Sequence, residues 1–120
     1  MIEAVSIVSI PVSDQDAARR FYTEILGFEL VRDNPMGPGQ RWVQVAPPGA
    51  RTSFTLVTWF ESMPPGCISG IVLETPNLEE ERRRLAAAGL STSAVQSAPW
   101  GTFVTFEDLD GNGFVLQQSA

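Results

Sequence analysis

The sequence predicts an α+β fold made of two tandem βαβββ modules. Three observations carry this expectation. A strand-like alternation leading into a capped, glycine-stopped helix occurs twice. Three further strand-like segments follow each helix. Clusters of Gly, Pro, Asn and Asp separate them. The 120 residues suit one domain, with module one over about 1–60, a linker at 61–66 (ESMPPG) and module two over about 67–120.

In the first module Val8, Ile10 and Val12 alternate with Ser9 and Pro11, the period of a two-faced strand. Ser13 or Asp14 caps the next helix by accepting a bond from a free backbone N–H. Ala18, Phe21, Tyr22, Ile25 and Leu26 share one helical face, and Gly27 ends the helix. Strands are expected over residues 28–33, 41–46 and 53–60, divided by NPMGPG and APPG.

The second module repeats the plan. Residues 68–74 alternate as a strand, Pro76 and Asn77 open a helix, and Leu78, Leu85 and Ala88 point inward. Glu79 to Glu81 stand at its positive N-terminal end, with Arg82 to Arg84 beyond; EEERRR reads as a solvated face. Gly89 stops the helix, and strands are expected over residues 91–96, 102–107 and 113–118. Asp108 and Asp110, in DLDGNG, take the ordinary role of shaping a turn.

Composition narrows the function. Hydrophobic residues at 43% and charged residues at 18% fit a soluble globular protein. The net charge is −6 and all eight cations are arginine, which disfavours nucleic acid or anionic membrane as partner. No apolar run approaches a membrane span and no basic segment leads into an apolar one, so a cytoplasmic location is expected. Cys67 is the only cysteine, which excludes an internal disulfide and a zinc–thiolate cluster, and no histidine exists to activate it. Neither a glycine-rich phosphate loop nor a nucleophile–base pair is present; no cofactor is expected.

The segments VSIVSIPVSDQDAARRFYTEILGFEL, RWVQVAPPG, SGIVLETPNLEEE and PWGTFVTFEDLDGNGFVL follow one another almost end to end. Together they resemble the vicinal oxygen chelate superfamily: glyoxalase I, extradiol dioxygenases, fosfomycin-resistance enzymes and bleomycin-binding proteins. The resemblance implies two βαβββ modules whose curved sheets face one groove. In metal-dependent members, four groove-facing side chains hold one divalent ion. Carried onto this chain, those positions are Ile7, Thr55, Gly70 and Val115. An alkyl chain, a hydroxyl, a hydrogen and a second alkyl chain replace the imidazole and carboxylate donors that such an ion needs. The expectation is a scaffold kept without its metal.

Strand alternation places other side chains beside those four positions. Ser9 accompanies Ile7; Val57 and Trp59 accompany Thr55; Val72 and Glu74 accompany Gly70; Gln117 accompanies Val115. Such a surface, apolar with scattered polar groups, has the make-up of a ligand pocket. Trp42, Trp59 and Trp100 are candidate aromatic walls for planar or cationic ligands, or else packing residues of the core or a dimer. Glu74 is the one acid expected in the groove and the single acid–base candidate; no other catalytic residue is expected.

The leading expectation is a metal-free protein that binds or sequesters a small apolar or aromatic ligand, as bleomycin-binding proteins do. A metal-independent lyase, isomerase or cyclase using Glu74 is the first alternative. An assembly protein whose groove is filled by its own side chains is the second. Open sheet edges favour a homodimer, whether modules pair within a chain or exchange between chains.

Overall fold

The computed structural model describes residues 1–120. Its strands and helices run in the order β1 (Ile7–Pro11), α1 (Gln15–Arg20), β2 (Glu29–Gly37), β3 (Gln40–Ala46), β4 (Ser53–Val57), β5 (Ile71–Glu74), α2 (Leu78–Ala87), β6 (Gln96–Ala98), β7 (Gly101–Glu107) and β8 (Gly113–Ser119). The expected α+β plan of two βαβββ modules holds. Each module forms one four-stranded mixed sheet, ordered β1-β4-β3-β2 in the first and β5-β8-β7-β6 in the second. The first strand of each module lies parallel to its last, and every other pair is antiparallel. No helix is long and apolar enough to cross a membrane.

Local chemistry sets the element ends. Asp14, not Ser13, caps α1, its carboxylate accepting from Ala17 N at 3.1 Å, and Asn77 does the same for α2 from Glu80 N at 3.1 Å. Past Arg20 the first helix widens into a π-helical turn, Phe21–Ile25, closed by the Leu26 N–H on the Phe21 carbonyl. Gly27 and Gly89 then take φ of +78° and +97°, conformations that end both helices.

Four strand limits differ from those expected by more than one residue. β2 runs on to Gly37, through the NPMG expected as part of a turn, because it stays paired with β3 as far as Gln40. β4 stops at Val57, so Trp59 lies outside it, because its parallel partner β1 ends at Pro11 and the ladder has nothing further to pair with. β6 begins at Gln96 instead of residue 91. Upstream of it the Ser93 hydroxyl accepts the Thr105 N–H at 2.9 Å, a place that a ladder carbonyl would otherwise take. β5 begins at Ile71 because Gly70, at φ +81°, breaks the extended run before it.

Alternation then divides each sheet into a helix-covered face and an open face. Val8, Ile10, Val43, Val45, Phe54 and Leu56 point to the helix side of the first sheet. Leu73, Val104, Phe106, Phe114 and Leu116 do so in the second. Both sets belong to a single apolar cluster, joined by Tyr22, whose ring lies 5.8 Å from Phe28 and 6.1 Å from Phe114. The modules therefore meet through their helix-covered faces. Polar bonds reinforce the junction: Tyr22 donates to Asp108 Oδ2 at 2.6 Å, Asn112 to the Pro11 carbonyl at 2.9 Å, and Ser13 Oγ to Asp110 Oδ1 at 2.7 Å.

Candidate functional site on the open sheet faces

With the helix-covered faces committed to the core, the open faces present the side chains that the sequence placed in a groove. On the first sheet Ser9 and Thr55 are register partners, and their hydroxyl oxygens lie 3.2 Å apart, with Ser9 half-buried and Thr55 itself buried. Beside them runs a relay of donors. Trp42 Nε1 donates to Gln44 Oε1 at 2.9 Å, Gln44 Nε2 to Ser53 Oγ at 2.7 Å, and Ser53 Oγ to the Ser6 carbonyl at 3.4 Å. This relay ties a half-buried indole to the main chain and holds it in one orientation. Sequence reasoning named Trp42 and missed Gln44, although its even spacing from Trp42 puts it on the same face. Ile7 flanks the group at the strand end, half-exposed.

On the second sheet Val72 pairs with Val115, and Glu74 with Gln117. The Glu74 carboxylate accepts from Gln117 Nε2 at 2.6 Å and from Ser119 Oγ at 3.1 Å, so it is fixed in place while open to solvent. Ser119 is the second residue that sequence reasoning left out; it follows Gln117 by two and so shares its face. Val72 is 52% exposed, a large value for a strand aliphatic in the middle of a fold. Gly70 and Val115 line a hollow of about 620 Å³ together with Ser69, Ser91, Thr105 and Glu107. A methyl group added at Gly70 would meet nothing within 4 Å.

Other named residues fall elsewhere. Val57 shares the parity of Thr55 but is fully buried. Trp59 sits in the segment after β4, half-buried, its ring 6.0 Å from Phe60. Trp100 lies in the turn between β6 and β7 and is 62% exposed. The two open faces do not close over one another within a chain. A cavity of about 670 Å³ lies instead between the helix-covered sides, lined by Val8 and Phe54 from one module and Leu73 and Phe106 from the other.

The donor set does not fit a divalent ion. The positions that the resemblance assigns to ligands carry Ile7, Thr55, Gly70 and Val115, which offer one neutral hydroxyl between them. No group of three or more His, Cys, Asp or Glu side chains stands close enough to hold a metal.

Comparison with known proteins agrees with this architecture. Residues 4–116 match the Glyoxalase/Bleomycin resistance protein/Dioxygenase superfamily, and the chain belongs to that family. It is 36% identical to the protein YetH of Bacillus subtilis (strain 168), over 98% of this chain and 100% of that one. TnmS3, an antibiotic binding protein from Streptomyces sp. CB03234, superposes with a TM-score of 0.94 at 44% identity, covering 99% of this chain and 98% of its own. A superfamily member from Sphaerobacter thermophilus DSM 20745 gives a TM-score of 0.90 at 38% identity, with 98% of each chain covered.

Proposed function

We propose that the protein is a cytoplasmic, metal-free binder of a small, largely apolar or aromatic molecule, held on the open sheet faces of a homodimer. The observation that carries this reading is the Trp42–Gln44–Ser53 relay. It presents a flat aromatic wall whose polar atom is already satisfied, next to hydroxyls that bond one another. Such a surface stacks and orients a planar ligand but offers no activated nucleophile. Glu74 adds one anchored carboxylate suited to a cationic or hydrogen-bond-donating group of the ligand. Similarity to TnmS3, described as an antibiotic binding protein, supports the same reading.

The test is a melting-temperature series against aromatic antibiotics and related planar compounds. A ligand at a hundred times its Kd adds about 2.7 kcal/mol, a shift of several degrees for a domain of this size. Trp42→Ala should abolish most of that shift, and the ligand should be recovered chemically unchanged after hours with the protein. The same assay with Glu74→Gln separates the catalytic alternative. Turnover of the ligand by the wild type, lost in Glu74→Gln, would replace binding with a metal-independent lyase or isomerase reaction.

A further inference from the structure

Strand register arranges the open face of the second sheet in rows across β5, β8 and β7. Glu74, Gln117 and Phe103 form one row, and Val72, Val115 and Thr105 the next. The last row pairs Gly113 with Glu107, and Gly70 lies beside it just before β5. Gly113 has no side chain, so nothing fills the centre of that row, and the hollow of about 620 Å³ opens there. A methyl group at Gly113 would stand 3.5 Å from Ser69 Cβ, which places Ser69 at one border of the hollow. Ser91 lies at the opposite border with Glu107, brought there by the bonds between Ser93 and the Thr105 main chain. Elsewhere on the open faces polar side chains satisfy one another: Ser9 with Thr55, Gln44 with Ser53, and Glu74 with Gln117 and Ser119. In the hollow they do not. The four ion pairs of the chain engage Asp16, Asp33 and Glu81, and none reaches Glu107. Thr105 meets Ser93 through its main chain alone, which leaves its hydroxyl free beside those of Ser69 and Ser91.

We infer, on the reading of the open faces as a ligand surface, that this hollow receives an amino sugar carried by the planar ligand. A carboxylate bordered by three hydroxyls offers one charge for an ammonium group and neutral donors and acceptors for sugar hydroxyls. No arginine lines the hollow, so a carboxylate or phosphate substituent would meet Glu107 with no cation to offset the repulsion. A purely apolar substituent would strip water from these polar groups without replacing its bonds. The adjoining row supplies a floor for the flat body of the ligand, with Val72 exposed and Val115 half-buried next to Thr105. Glu107 is thus the residue that selects the substituent, and the glycine at 113 makes the room for it.

The experiment titrates three matched compounds by calorimetry: daunorubicin, whose planar body carries one amino sugar; its N-acetyl derivative, with the same sugar uncharged; and the aglycone. Wild type, Glu107→Gln and Gly113→Val are compared, with melting temperatures of the free proteins as the check on folding. Glu107 is exposed, and Gly113 lies in a strand without a positive φ, so both variants should fold. The wild type should bind daunorubicin at least about tenfold more tightly than the N-acetyl derivative, and that preference should vanish in Glu107→Gln. Gly113→Val should weaken both sugar-bearing compounds and leave the aglycone unchanged; if it fails to fold, Glu107→Gln alone decides. Equal Kd values for the amine and its N-acetyl derivative in the wild type overturn the inference. So does a preference that survives Glu107→Gln. In either case binding of the aglycone leaves the planar-ligand reading standing. If none of the three compounds binds, the inference falls, and the planar-ligand reading falls with it only when the wider melting-temperature series is blank as well.

Discussion

Tyr22 joins the two modules through both halves of its side chain. The ring packs among Phe21, Phe28 and Phe114, and the hydroxyl reaches Asp108 across 86 residues of sequence. Asp108 also accepts from Asn112 Nδ2 at 2.8 Å and from the N–H groups of Asp110 and Asn112 at 2.9 Å. Tyr22→Phe leaves that carboxylate buried with one donor fewer, at a cost of about 1–3 kcal/mol, read as a lower urea midpoint with the slope unchanged. Burial, then the Asp108 charge, pushes the phenol far above its ordinary value. The folded state thus keeps Tyr22 neutral where the unfolded chain ionises. Its contribution is complete below about pH 10 and declines as pH rises beyond that. Comparing alkaline denaturation of wild type and Tyr22→Phe should show the wild type losing stability more steeply than the variant above pH 10. At this scale the sequence was partly legible. DLDGNG announced a turn, and Asp108 does shape one through those N–H groups, but a second duty to a tyrosine of the other module leaves no local mark.

The helices carry a similar cross-module contact. Arg84 of α2 donates to the carbonyls of Ile25 and Leu26, both at 3.1 Å, which satisfies acceptors left free where the first helix ends. Its Nε also bonds Glu81, one turn earlier in α2. In the run EEERRR the sequence offered a solvated face; Arg83 and Arg84 are both exposed, and what the run did not announce is the reach of Arg84 to the other module. Arg84→Met should cost about 1 kcal/mol and raise amide exchange in residues 25–28 before it affects α2, because the lost bonds belong to the first helix. Strand existence and order were legible from period-two alternation. Strand limits were less so, since they depend on partners: β4 ends where β1 ends, and β6 starts late because a serine hydroxyl interrupts its ladder.

For the molecule as a whole, back-to-back packing of two modules leaves both open faces without cover. Open faces lined by Ile7, Val72 and Val115 and by Trp42 expose apolar surface that a second copy or a ligand would remove from water. Because those faces carry no convergent imidazole or carboxylate donors, added nickel, zinc, manganese or ferrous ion should leave the melting temperature unmoved. Dialysis against a chelator should have no effect either. A saturable, stoichiometric shift with any of these ions would contradict the reading of the open faces.

Which residues share a sheet face follows from covalent geometry, so the sequence alone determined the two modules, their helix-covered and open sides, and the absence of metal donors at Ile7, Thr55, Gly70 and Val115. Trp59 shows the limit of that logic, since parity counts only while the ladder lasts, and β4 ends two residues before it. Tertiary structure alone decided that the modules join through Tyr22, Asp108 and Arg84, that Gln44 and Ser53 brace Trp42, and that a cleft opens beside β5. Those features arise from contacts between segments far apart in the chain, and nothing in the spacing of either partner encodes the other's position.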